Sequence, residues 1–243
     1  MNQAAKTHKH IGRTILIVLA ALLLVLAVVF TVYVQDYRHA DETALSVLNN
    51  PAVRQEDNLT ILIPDAANDT GDGLIFYPGG KVQAEAYLPL LMHLRQGGVT
   101  CILVTMPYRL AVFNIDAADA IYDRFPAVSR WYLGGHSLGG AMASSYVAGN
   151  EDKLAGLILL GAYPVNDSKI PTICIYGSED IMLDRTKLVG VADQLEIAGG
   201  NHAQVGNYGV QEGDGVASIS REEQQATVAE AMLAFLSYTD PVA

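Results

Sequence analysis

The stretch that most narrows what this chain can fold into is Arg130-Trp131-Tyr132-Leu133-Gly134-Gly135-His136-Ser137-Leu138-Gly139-Gly140. Trp131, Tyr132 and Leu133 read as the end of a buried strand. Leu138 to Ala148 is rich in small, helix-tolerant residues and stops at Gly149-Asn150. Between them, Gly135 and Gly139 flank Ser137 in the pattern G-x-S-x-G. That spacing suits a serine on a very tight strand-to-helix turn, whose strained backbone lifts the hydroxyl clear of the sheet. Side chains two residues before or after the serine would collide there. The Leu138 N–H then opens the helix, where the amide dipoles favour negative charge. Ser137 is the candidate nucleophile. His136 fills the variable position and is expected to pack beside the turn rather than act as a base.

The rest of the chain alternates strands with helices. Leu59–Ile63 and Leu74–Tyr77 read as short strands separated by the turn cluster 68–73, and are expected to pair as a hairpin. Residues 83–96 read as a helix with Tyr87, Leu91 and Leu94 on one stripe, closed by Gly97-Gly98, with Pro89 delaying or kinking its start. Val99–Val104, Leu157–Leu160 and Thr172–Tyr176 are apolar throughout, as strands covered on both faces are; Gln194–Ile197 is a weaker strand. Asn114–Arg124 reads as a helix. Ser220 and Glu223 form a capping box for a last helix with Val228, Met232, Phe235 and Leu236 inward. This pattern means an α/β fold with a largely parallel sheet. Neither repeats nor low-complexity tracts interrupt it.

Ile15 to Val34 is an apolar run without a charge, long enough to cross a bilayer as a helix. It is longer than a usual signal-peptide core, and no clean A-x-A site closes it, which favours an uncleaved signal anchor. Lys6, Lys9 and Arg13 precede it while Asp36, Asp41 and Glu42 follow, which puts the N-terminus in the cytoplasm and the remainder outside the cell membrane. The expected organisation is a cytoplasmic tail (1–14), a transmembrane anchor (15–35), a stalk and lead-in segment (36–58) and a catalytic domain (59–243).

The formal net charge of −11 argues against nucleic acid or anionic lipid as a partner of the soluble part. Cys101 and Cys174 lie in apolar strands and are expected to be free thiols. No metal-ligand spacing occurs, and no cofactor is called for.

In an open parallel sheet, functional groups gather at the carboxyl ends of the strands. Two loops at such ends carry apt chemistry: Gly177-Ser178-Glu179-Asp180 and Gly199-Gly200-Asn201-His202. An unaided serine alcohol is too weak a nucleophile and needs a histidine base, which in turn needs a carboxylate to fix its tautomer. His202 is the one histidine after Ser137; His8, His10, His39 and His93 lie in the tail, stalk and first helix. The acid is Asp180 or Glu179, with Asp184 a more distant candidate. Pro78-Gly79-Gly80-Lys81 is a further strand-end loop whose glycines let a backbone N–H face a bound oxygen.

Taken together, YPGGK, GGHSLGG, YG-x-x-D and GGNHAQ resemble the α/β-hydrolase superfamily, and more closely its small capless bacterial members similar to dienelactone hydrolases. The resemblance covers roughly residues 59–238. It implies Ser137 as nucleophile, His202 as base and Asp180 as acid. The oxyanion hole would be the N–H groups of Leu138 and Gly80, with Lys81 the alternative to Gly80. The short connection between the strand ending near Gly161 and that starting at Thr172 leaves no room for a lid. Dienelactone hydrolases typically use a cysteine nucleophile, and this chain has serine.

The expected activity is hydrolysis of a small-molecule carboxylic ester or lactone through an acyl-enzyme. Acyl transfer on the same residues, or a non-catalytic cell-surface binding domain that keeps the fold, are the alternatives. Arg109 is a candidate for meeting an anionic substrate group. The glycine-rich segment 203–215 is expected to shape the acyl pocket or to be a surface loop.

Overall fold

A computed structural model describes residues 3–238, with side-chain surroundings from Gly12 onward. Met1 and Asn2, the side chains of Lys6 and Lys9, and residues 239–243 lie outside the described residues, so parts of the expected tail and of the catalytic domain's end do too. The chain divides into two units, Met1–Tyr37 and Arg38–Ala243. The first consists of α1 (Gln3–Gln35), whose portion Gly12–Gln35 is long and apolar enough to cross a membrane.

The second unit is built on eight strands: β1 (Val53–Glu56), β2 (Leu59–Leu62), β3 (Asp72–Tyr77), β4 (Thr100–Val104), β5 (Arg130–His136), β6 (Gly156–Leu160), β7 (Thr172–Gly177) and β8 (Asp193–Ile197). They form one sheet in the order β1-β2-β4-β3-β5-β6-β7-β8, in which β2 alone runs antiparallel to its neighbours. The helices are α2 (Glu42–Ser46), α3 (Leu88–Gln96), α4 (Leu138–Val147) and α5 (Arg221–Tyr238). Alternation along the strands decides which face each side chain joins. On one face Leu74, Phe76, Leu103 and Ile158 pack with α3 and α5. On the other, Ile75, Ile102, Leu133 and Leu159 pack with Ala143, Tyr146 and Val147 of α4. Cys101 and Cys174 are free and buried in opposite layers, and burial pushes the Cys174 thiol up to about 12.

Register places the functional ends. Asp72 pairs with Arg130 and Tyr77 with Gly135 across β3 and β5, so the end of β3 lies beside the turn at Ser137. The Arg130 guanidinium grips the Asp72 carboxylate through two bonds of 2.7 and 3.0 Å at the opposite end of the same pair.

Three expectations are corrected. β2 and β3 do not form a hairpin, because β4 lies between them and pairs with both. β4 is buried along its whole length, and the backbone groups on its two edges are paired by β2 on one side and β3 on the other. Residues 114–124 form short 3-10 turns, Ile115–Ala120 and Tyr122–Arg124, instead of an α-helix. Asn114, at φ −156°, offers no side-chain cap to start one.

Residues 38–58 are integral to the domain and not a spacer. Arg38 donates its N–H to the Lys81 carbonyl (2.8 Å) and accepts from Gln83 N–H (2.9 Å). Asp41 caps α2 through Ala44 N–H, accepts from Arg221 and Asn207, and donates its own N–H to the Asn207 carbonyl. α3 begins at Leu88 with Pro89 in its first turn, after a 3-10 turn at Ala84–Tyr87.

Several hydrogen bonds of about 1 kcal/mol each depend on residues 38–41. A chain beginning at Arg38 is therefore expected to melt about 5–10 °C above one beginning at Glu42, a shift of the size such a loss gives in a domain this large. Equal midpoints by circular dichroism would show that the segment is dispensable.

Candidate functional site

Ser137 sits between β5 and α4 with φ 53° and ψ −120°, a conformation that non-glycine residues adopt only under strain. The two flanking glycines are required by what lies against them. A Cβ on Gly135 would come within 2.5 Å of the Gly139 carbonyl carbon, and one on Gly139 within 2.1 Å of the Tyr77 carbonyl oxygen. The same closeness draws the end of β3 onto the start of α4, so that the loop after β3 faces Ser137.

The carboxyl ends of β7 and β8 supply a buried pair. His202 Nδ1 lies 2.8 Å from Asp180 Oδ2, and both side chains are at least 97 % buried, with exposures of 3 % and 1 %. The other oxygen of Asp180 accepts the N–H groups of Met182 and Leu183, each at 3.0 Å, so the buried carboxylate has all its main partners. Glu179 points to solvent and accepts from Ser178, while Asp184 caps the turn Arg185–Leu188. Of the three carboxylates considered, Asp180 is the one that the fold brings to His202.

The loop carrying His202 is fastened by Asp214. One oxygen of its carboxylate accepts His202 N–H (3.3 Å) and Gly215 N–H (2.8 Å), and the other accepts Ala203 N–H (2.8 Å). Through Asp214 the segment 203–215 holds this loop; it does not line the cavity at Ser137, and Gly209, Val210, Glu212 and Gly213 are exposed, as a surface loop would be. Gly161, at the end of β6, is a further residue that the sequence reading passed over. Its φ is 51°, and a Cβ there would lie 2.8 Å from His202 Nδ1. The strand end must be bare for the Asp180–His202 pair to fit.

Ser137 and His202 share a cavity of about 300 Å³ whose walls include Leu138, Ala162, Met182 and Leu183. Apart from His202, none of its lining side chains is ionisable except the Tyr163 phenol. Arg109 is not among them; its carbonyl accepts the Lys81 N–H at 2.9 Å. That bond engages the Lys81 amide, whereas the Gly80 N–H has no hydrogen-bond partner among the described residues. Gly80 packs on Leu138, since a Cβ there would fall 2.8 Å from Leu138 Cδ2. The Leu138 N–H opens α4 and has no partner within the helix. A larger cavity of about 520 Å³, lined by Asn166, Asp167, Lys187 and Asp193 among others, contains none of these residues. No cluster of metal-ligating side chains occurs among the described residues.

His136 is fully buried beside the turn, as its variable position suggested. Its Nδ1 is 2.8 Å from the Tyr87 hydroxyl, and its ring lies 4.4 Å from that of His202, centre to centre. Burial holds its pKa well below the usual histidine value; the charge of His202 lowers it further, partly offset by the His202 carbonyl.

Comparison with known proteins bears on the fold. Solved structures of the same fold include Est1E from Butyrivibrio proteoclasticus with ferulic acid bound (TM-score 0.57, 15 % identity, 74 % of this chain and 95 % of that one). A dienelactone hydrolase from Anabaena variabilis is similar at TM-score 0.54 and 16 % identity, covering 74 % of this chain and 90 % of that one. A serine hydrolase without a lid from Xanthomonas campestris matches at TM-score 0.52 and 12 % identity, over 76 % and 90 %. No curated protein matches the sequence. The profile of the alpha/beta hydrolase family matches residues 73–226, from the first parallel strand into the last helix, and the chain belongs to that family.

Proposed function

We propose that the protein is a membrane-anchored serine hydrolase acting on a small, uncharged carboxylic ester or lactone. The observation that carries this reading is the buried Asp180–His202 pair (2.8 Å) opening onto the same cavity as the strained Ser137. Asp180 engages Nδ1 of His202, which leaves Nε2 to take the Ser137 proton as the oxygen attacks the acyl carbon. The carbonyl π electrons move to oxygen, and the Gly80 and Leu138 N–H groups receive the oxyanion. Collapse of the tetrahedral species expels the alkoxide, which takes the proton from His202. Water, deprotonated by His202, then attacks the acyl-enzyme; the tetrahedral species collapses to the carboxylic acid, and the expelled Ser137 alkoxide takes the proton back from His202.

The cavity offers no cationic side chain to a carboxylate, so burying a charged acyl group there goes uncompensated. α1 is the anchor in this reading, and the positive charges before it place the domain outside the cell.

A fluorophosphonate should label the wild-type protein, and Ser137→Ala should abolish labelling; persistent labelling would place the nucleophile elsewhere. Asp180→Asn is expected to lower kcat by about 10⁴ on a p-nitrophenyl ester, the scale seen when a triad carboxylate is neutralised. Glu179→Gln should change it within roughly two-fold, since it alters only a screened surface charge. The opposite ranking would exchange their roles. A p-nitrophenyl butyrate should outpace the matching hemisuccinate by about 10–100-fold in kcat/KM, the penalty of an unpaired polar burial. Protease added to intact cells should digest the domain; digestion only after lysis would reverse the orientation.

A further inference from the structure

The helix stripe read from the sequence placed Tyr87 in the core by its apolar ring alone, but its hydroxyl meets the candidate site. Tyr87 is fully buried and stands at the last residue before α3. Its oxygen accepts the Gly79 N–H at 3.0 Å and lies 2.8 Å from His136 Nδ1. Burial raises the Tyr87 pKa far above the usual phenol value, so the hydroxyl keeps its proton. Since its oxygen accepts from Gly79, that proton has His136 Nδ1 as its acceptor. His136 is then the neutral tautomer with hydrogen on Nε2, a buried nitrogen on the side of the ring that the His202 carbonyl approaches. The ring that carries it rests on His202.

Gly79 is bound into this arrangement by space as well. A Cβ on it would lie 2.7 Å from the Tyr87 oxygen and 2.9 Å from His136 Nδ1. The residue before Gly80 is therefore fixed by a hydrogen bond on its amide and by a close fit on its α-carbon. An ordinary core tyrosine requires neither.

We propose that Tyr87 and His136 are positioning residues that act as one clamp, holding the Gly79–Gly80 loop in register with His202. This rests on the hydrolase reading of the site. The clamp joins the two halves of the machinery, the donor that receives the oxyanion and the base that moves the proton. Neither Tyr87 nor His136 lines the cavity at Ser137, so substrate contact does not explain them. His136, at the variable position of the serine motif, has its role through Tyr87. An asparagine oxygen on the same carbon could accept the same proton.

The test uses the full-length protein in detergent micelles with p-nitrophenyl butyrate. Tyr87→Phe and His136→Leu should each lower kcat by about 10–100-fold, less than loss of an oxyanion donor outright, with KM within about three-fold. His136→Asn should recover kcat to within about five-fold of wild type. The double variant Tyr87→Phe/His136→Leu should be no slower than the worse single one, as for residues acting as a unit. Tyr77→Phe is the control. It removes a buried hydroxyl with two comparable bonds, to Ile115 and Ala118, directed away from the loop, and should leave kcat unchanged. Multiplicative losses, loss in KM alone, or an equal loss in Tyr77→Phe would overturn the proposal.

Amide hydrogen exchange separates this proposal from the hydrolase reading. In Tyr87→Phe, exchange over residues 78–82 should rise about ten-fold with the rest unchanged, whether or not an ester is cleaved. If the wild type neither hydrolyses the ester nor reacts with a fluorophosphonate, the hydrolase reading fails, and the catalytic role of the clamp with it. Unchanged exchange over 78–82 would overturn the clamp itself.

Discussion

The site depends on one unfavourable piece of backbone, Ser137 at φ 53° and ψ −120°. A conformation of this kind costs on the order of 1–3 kcal/mol and persists only where its surroundings leave no alternative. Here β5 enters the turn held between β3 and β6, and α4 leaves it packed on the sheet through Ala143, Tyr146 and Val147. The two glycines allow the chain on either side to close to contact with Tyr77 and Gly139. Strain at the serine is thus set against the cohesion of the most buried part of the sheet.

The same sheet register brings four separate loops to one end. Those after β3, β5, β7 and β8 converge because their strands are parallel neighbours or next neighbours. Three of them are then fixed by polar partners: the Tyr87 hydroxyl at the β3 loop, the backbone N–H groups of Met182 and Leu183 at Asp180, and the Asp214 carboxylate at the His202 loop. The segment 38–41 adds ties to the two outer loops, through Lys81 and Gln83 on one side and Asn207 on the other. Asn207 in turn donates its N–H to the Ala86 carbonyl, next to Tyr87. Loops that would individually be mobile are therefore cross-braced.

What the sequence disclosed follows from how local each signal is. The turn at Ser137 is legible because strand, glycines and helix are contiguous, and the α/β class because buried parallel strands are apolar throughout. The candidate acid and base follow from strand ends and chain order, although apart from the family resemblance Asp180 and Glu179 are separated only by which one the β7 turn buries. The hairpin expectation failed because adjacency along the chain says nothing of β4 inserting between β2 and β3. Residues 38–58 look like a spacer because their polar side chains, Asp41 above all, are paired with partners up to 180 positions away. Tyr87, Gly161 and Asp214 have no motif of their own; a core aromatic, a strand-end glycine and a loop acid acquire meaning only from their neighbours in space.

An open site places particular demands on such bracing. Residues 161–171, between β6 and β7, contain neither helix nor strand, so among the described residues no cap is inserted there to exclude water. Electrostatic stabilisation in a site that solvent can reach must come from groups already oriented, because water would otherwise do the orienting at a cost in reorganisation. The buried groups have that character: the Asp180 carboxylate is satisfied on both oxygens, and the His136 ring is kept neutral against the imidazole of His202. A positive charge forming on His202 would therefore meet a carboxylate on one side and an uncharged ring on the other. Protonated His136 would oppose that charge at a ring separation of 4.4 Å, so its burial would favour proton transfer to His202 in the proposed mechanism.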